Sequence, residues 1–234
     1  VGISALSAFF TVGGMNLTIA AQKVIVQTQS FPFLAVPFFL IAGNIMNAAG
    51  ITTRLVKFAK VLTGHMAGGL AQVSIVLSAL MGGISGSAAT DTAMEARFLG
   101  PSMIKAGYSK GFTSAVLAFG GLITATIPPS MGLILYGFVG DVSIGRLFIA
   151  GIPSGIILMA LYMIATHFIS KKRGYIPDST APPTFKEVWT CFKESFWALM
   201  FPVVLIVGIR SGFFTTSEAG AFAVVYAIII GKFV

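Results

Sequence analysis

Seven apolar runs, at about residues 2–20, 31–51, 66–82, 112–140, 147–169, 195–210 and 217–233, divide the 234-residue chain, and little but short cationic clusters separates them. Several approach the ~20 residues that a helix needs to cross a bilayer. With 56% hydrophobic and 9% charged residues, a soluble domain of this size would have too little polar surface to cover itself. The expected fold is therefore an all-α polytopic membrane protein in a lipid bilayer. Its 27 Gly and 10 Pro suit transmembrane helices, where neighbouring helices satisfy freed backbone groups.

The net charge of +8 does not mark a nucleic-acid binder, because the Lys and Arg punctuate apolar runs and form no basic face. Cys191 is the only cysteine, which excludes an internal disulfide and a thiolate metal cage; packing suffices to explain it. The chain lacks an initiator Met and both ends fall in apolar runs, so it is expected to be a piece of a longer protein.

Residues 80–93, Leu-Met-Gly-Gly-Ile-Ser-Gly-Ser-Ala-Ala-Thr-Asp-Thr-Ala, break this pattern with glycines, small hydroxyls and the carboxylate of Asp91. At membrane depth a non-helical turn survives only where protein or a water-filled cavity surrounds it, and a carboxylate there is costly. Such a segment marks a place where an ion or solute is held.

Charges predict its path. Arg54, Lys57 and Lys60 precede it, and Arg97, Lys105 and Lys110 follow it. If residues 66–99 form a re-entrant hairpin, both clusters face one side. Continuing the alternation puts twelve of the fifteen cations on that side and leaves Lys23, Arg146 and Arg210 on the other, so the hairpin opens from the cytoplasm. Residues 90–99 would reach about 15 Å as helix, the middle of a ~30 Å core.

At the tip, a first half-helix ending near Gly82-Gly83 would release carbonyls, while Ser87, Thr90 or Asp91 caps a second. Carbonyls and hydroxyls suit a hard cation such as sodium, and the opposing helix N-terminus suits a substrate carboxylate. A second break follows at 120–130, where Pro128 and Pro129 free carbonyls near Thr124 and Ala125.

In order, Phe31-Pro-Phe-Leu-Ala-Val-Pro-Phe-Phe-Leu-Ile-Ala-Gly-Asn-Ile-Met-Asn, Gly83-Ile-Ser-Gly-Ser-Ala-Ala-Thr-Asp-Thr-Ala, Ile127-Pro-Pro-Ser and Thr215-Thr-Ser-Glu-Ala-Gly-Ala closely resemble the large membrane subunit (DctM type, or M subunit) of tripartite ATP-independent periplasmic (TRAP) transporters. The likeness covers nearly the whole chain and corresponds to the N-terminal half of such a subunit. It implies an inverted-repeat, elevator-type secondary transporter of the bacterial inner membrane, a permease and not an enzyme. Such a permease is coupled to sodium, imports organic acids of the C4-dicarboxylate or sialic-acid class, and works with a periplasmic substrate-binding protein (P type) and a small membrane subunit (Q type).

Carried over by motif, Ser85, Gly86, Ser87, Thr90 and Asp91 would form the hairpin tip, and Gly121, Thr124, Thr126, Ile127 and Pro128 the adjoining break. Sodium would lie at Ser85, Ser87, Thr126 and nearby carbonyls. The implied domains are scaffold helices and an interfacial arm at 1–63, and half of a transport domain at 64–140, holding the hairpin 66–99 and the broken helix 112–140. Connecting helices and a cytoplasmic linker occupy 141–210, and a second repeat starts at 211–234. The chain departs from the commoner pattern at Ala89-Thr90-Asp91 and at Thr216-Ser217, and Thr90 could retune the site.

Two other readings compete. Gly83-Ile84-Ser85-Gly86 matches the G-x-S-G pattern of intramembrane serine proteases, with Ser85 as nucleophile and His167 as base, which requires the two within hydrogen-bond reach. A purely structural subunit would explain glycine-rich helices but not Asp91. Glu95 is expected to pair with Arg97 or with a basic group in the absent half of the subunit and to have no site role, and Glu218 to stabilise a helix N-terminus.

Overall fold

The computed structural model describes residues 31–178 and 182–233, together with Thr18, Gln22, Ile25 and Val26. The apolar run at 2–20 and Lys23 lie, apart from Thr18, outside the described residues. After a 3-10 turn at Phe31–Leu34 the described elements are helices: α1 (Ala35–Ala48), α2 (Ile51–Thr63), α3 (Gly69–Ser85), α4 (Ala88–Phe98), α5 (Gly100–Lys105), α6 (Lys110–Thr126), α7 (Met131–Val139), α8 (Ile144–Arg173), α9 (Phe185–Arg210) and α10 (Thr216–Phe233). By length and apolarity α8 and α9 can each cross a membrane, and up to four spans result if the bent pairs α1–α2 and α6–α7 each count as one.

Local chemistry explains the breaks. Gly50, at φ +79°, sits between α1 and α2, which diverge by 73°. Ile51, Leu55, Phe58 and Ala59 give α2 a buried face, and Arg54, Lys57 and Lys60 lie off it. Ile127 precedes a proline and is extended (φ −78°, ψ 126°), so α6 stops at Thr126 and α7 resumes at 48° to it. Thr184 and Glu187 form a capping box that starts α9 at Phe185. Lys186 and Lys193 consequently lie on a 26-residue helix, whereas the apolar run suggested a loop followed by a helix from 195. Hydropathy sees only the lipid-deep part of that helix; the cap and its helix-favouring residues extend it.

Glycine and alanine decide the closest packing. Gly220 of α10 lies against Ala35 and Phe38, and Gly231 against Ala49 and Ile45, so α10 runs parallel to α1, with Ala219, Ala223 and Ala227 fully buried.

The hairpin α3–α4 enters and leaves at one end of α8. Gly68 lies against the Ser170 side chain, and the Ser109 N–H donates to the Tyr175 hydroxyl at 3.1 Å. Tyr108, Phe112 and Tyr175 stack there, with the Arg173 guanidinium 5.4 Å from the Phe112 ring centre. Lys57 pairs with Glu194 (2.7 Å) and Lys60 with Asp178 (3.1 Å). The basic segments around 54–60, 110, 173 and 193 thus gather at one end. Arg146 and Arg210 mark the other, where Gly145 packs on Ile209.

Candidate functional site

The hairpin turns at Gly86-Ser87. Helix α3 runs through Gly82 and Gly83 to Ser85, past the expected stop, because these glycines serve close approach and not termination. A Cβ on Gly82 would lie 2.9 Å from Thr124 Cα, and one on Gly83 3.0 Å from the Pro202 ring. The termination falls to Gly86, whose φ of +60° reverses the chain beside the Pro129 carbonyl.

Asp91 points back across this turn. It is 1% exposed, and its Oδ2 accepts a hydrogen bond from Ser85 Oγ at 2.5 Å. Ser85 Oγ also accepts from the Ser87 N–H at 3.2 Å. The other carboxyl oxygen, Oδ1, is buried and has no partner among the described residues. Ser87 occupies the N-cap position of α4 in an extended conformation, yet its hydroxyl meets Thr90 Oγ1 at 2.9 Å instead of capping a backbone N–H. Of the three capping candidates, then, none caps through its side chain: Asp91 serves Ser85, and Ser87 and Thr90 serve each other.

The proline break meets this tip. The Met131 N–H donates to the Gly86 carbonyl at 3.3 Å, Ile127 packs on Gly82 and Gly155, and the Pro128 carbonyl faces Gly83. Gly121 lies against Ala88 and Thr92 of α4. Thr124 is 1% exposed and its hydroxyl donates to the Ser78 carbonyl at 2.9 Å, tying α6 to α3. Thr126 turns its hydroxyl to Leu122 of its own helix at 2.7 Å. The carbonyl of Ala125, which Pro129 cannot serve, is not left open: Ser130 Oγ donates to it at 2.6 Å and accepts from the Leu133 N–H at 3.4 Å. Ser130 was legible only as part of a motif, and its role needs the turn of backbone that brings it back over α6.

Depth follows from α8. Gly155, beside Ile127, lies about 27 Å of helix rise from Arg173 and about 16 Å from Ile144, so the tip is near the middle of this long helix. The same measure disposes of the Ser-His pair. Gln72 Nε2 donates to the Met163 carbonyl, one turn from His167, and Ser85 lies 13 residues further along α3, about 20 Å away along its axis. His167 cannot serve Ser85 as a base.

Glu95 does not pair with Arg97. It is 1% exposed and receives Ser74 Oγ (2.7 Å) and Ser78 Oγ (2.8 Å), whereas Arg97 lies exposed. The available signal was the double i, i+4 spacing, Asp91/Glu95 on one helix and Ser74/Ser78 on another, which puts each pair on one face. Glu218 does what its position implied: its carboxylate accepts from the Thr215 N–H at 2.7 Å at the start of α10.

A bundle of apolar helices, two bent pairs and a buried hairpin with polar residues at its turn defines a polytopic helical membrane protein. The whole chain, residues 1–234, matches the family described as the tripartite ATP-independent periplasmic transporter, DctM component, and the chain belongs to that family. It is 40% identical over 97% of its length to the sialic acid TRAP transporter permease protein SiaT of Haemophilus influenzae, covering 36% of that protein. It is 39% identical over 98% of its length to the large permease protein SiaM of Vibrio cholerae, covering 53%. With the C4-dicarboxylate large permease protein DctM of Rhodobacter capsulatus it shares 32% over its whole length, covering 56%. The chain thus spans between about a third and just over half of these relatives.

Proposed function

We propose that this chain is part of the permease of a sodium-coupled secondary transporter that imports organic acids across the bacterial inner membrane by an elevator movement. The observation that carries the reading is the buried Asp91–Ser85 pair at the turn of the hairpin, set against the proline break in the middle of the bundle. Asp91 Oδ1 offers a carboxyl oxygen with no donor among the described residues, and the Ser85 and Ser87 hydroxyls with carbonyls near Gly86 and 126–128 are the further ligands a sodium ion would use. The first turn of α4 faces the same region and would hold a substrate carboxylate. Substrates in the sialic-acid or C4-dicarboxylate class accord with the names of the relatives.

In this reading residues 64–140 form half of the moving domain, with the hairpin re-entrant from the cytoplasmic side. Residues 1–63 belong to scaffold and arm, 141–210 connect, and 211–234 open a second inverted repeat. A small membrane subunit braces the scaffold and a periplasmic binding protein delivers the substrate.

The test is uptake by the full-length permease reconstituted with both partners. Import should need a sodium gradient and no ATP, and Asp91→Asn or Ser87→Ala should raise the sodium concentration for half-maximal uptake by roughly 5- to 150-fold, from about 1–3 kcal/mol per lost ligand. Full-rate uptake without sodium overturns the coupling; unchanged sodium dependence in both variants moves the ion away from the tip.

A further inference from the structure

Glu95 has no part in the site proposed above, yet it is among the most enclosed ionisable groups of the hairpin. It lies on α4 one turn after Asp91, with Ser74 and Ser78 of α3 on its two oxygens, and a Cβ on Gly120 of α6 would come 3.8 Å from Oε2. Helix α3 has no charged residue. Helix α6 has only Lys110, ten residues before Gly120 and thus about 15 Å away along its axis. On α4 and α5 the nearest charges besides Asp91 are Arg97 and Lys105, both exposed. Tyr162 of α8 is engaged with the carbonyls of Ala115 and Val116 at 3.3 and 3.1 Å. The ion pairs formed among the described residues involve Lys57 and Lys60 and not Glu95.

Burial without a counter-charge favours a neutral carboxyl, and the hydrogens around it can accommodate one. Ser78 Oγ has one hydrogen and two acceptors in reach, Glu95 Oε1 at 2.8 Å and the Ser74 carbonyl of its own helix at 2.9 Å. One hydrogen cannot fill both contacts. If Ser78 donates to the carbonyl, the hydrogen in the other contact must come from Glu95, whose Oε1–H donates to Ser78 Oγ while Oε2 accepts from Ser74. Every close oxygen pair then has a hydrogen between its members, and no charge is buried without a counter-ion. An ionised carboxylate would leave one contact without a hydrogen and one charge unbalanced.

We propose that Glu95 is a proton-binding site of the hairpin, holding a proton where α3, α4 and α6 pack together. The proton is a second bound ion, distinct from whatever occupies the tip, and the proposal stands whether or not the tip binds sodium.

Infrared spectroscopy of the purified full-length permease at neutral pH tests it without any transport assay. The wild type should show a protonated-carboxyl C=O stretch that is absent from Glu95→Gln, whose amide mimics the neutral acid, and retained in Asp91→Asn. Ser74→Ala, which removes the donor to Oε2, should move that band to higher frequency. Superimposable wild-type and Glu95→Gln spectra in this region, or a band that vanishes only in Asp91→Asn, overturn the proposal. Should Glu95→Gln fail to fold, a band unmoved by Ser74→Ala overturns it equally.

Discussion

Helix α8 and the hairpin arm α3 are both apolar in sequence and are built on opposite plans. Of the 30 residues of α8 only Ile144, Phe148, Gly151, Gly155, Thr166 and Ser170 are buried, while Ile157, Leu161 and Phe168 are 60%, 60% and 67% exposed. In the 17-residue α3 only Ala79 and Leu80 escape full burial, and Gln72, Ser74, Ser78 and Ser85 are among the buried. The contrast shows what hydrophobicity does in each place. The outer face of α8 has only to be apolar, so large side chains point outward and small ones meet the protein. Around α3 protein replaces lipid, and small polar side chains make the contacts that let three helices close on two carboxyls.

The comparison breaks most sharply at Ser78. Ser78→Leu adds volume where Gly120 leaves none and removes a partner of Glu95, so it should lower the stability of the full-length permease by roughly 3 kcal/mol or more, measured as thermal unfolding. A loss comparable to a surface substitution would mean that the arm is loosely packed and the contrast false.

Ser130→Ala tests whether backbone satisfaction also separates the two regions. It uncovers the Ala125 carbonyl and removes the N-cap of α7, an expected cost of about 1–3 kcal/mol in the same measurement. In α8, by contrast, Ser154 bonds back to Ala150 at an exposed position. If Ser130→Ala leaves the melting curve in place, the break at 127–130 draws its stability from packing alone.

The smallest effect belongs to the lipid face. Leu161→Ala should change stability by no more than about 0.5 kcal/mol, since its side chain is 60% exposed among the described residues. A loss near that of Ser78→Leu would show that this face of α8 is covered by protein in the assembled transporter, and would redraw the boundary between the two regions.

Sequence reasoning reached the second break through Pro128 and Pro129, and the hairpin through charge alternation and the run of small residues, because each of those signals acts within a few residues. It misplaced the end of α3 because glycine serves both as a stop and as a point of close approach, and Gly82 and Gly83 serve the second. It offered Asp91, beside Ser87 and Thr90, as a cap because a carboxylate in a first turn suits a helix N-terminus; the structure turns it to Ser85 across the hairpin.

What the sequence by itself determined is therefore local: apolar runs long enough to span, a turn only glycine can make at Gly86, a helix that must stop before Pro128, and i, i+4 pairs that share a face. Tertiary structure alone decided which face meets which. Ser74 and Ser78 find Glu95, and Thr124 finds Ser78, only when separate segments are brought together. The physical reason is range: helix propensity and proline sterics act over a few residues, whereas a buried hydrogen bond is chosen by the group that the packing places opposite.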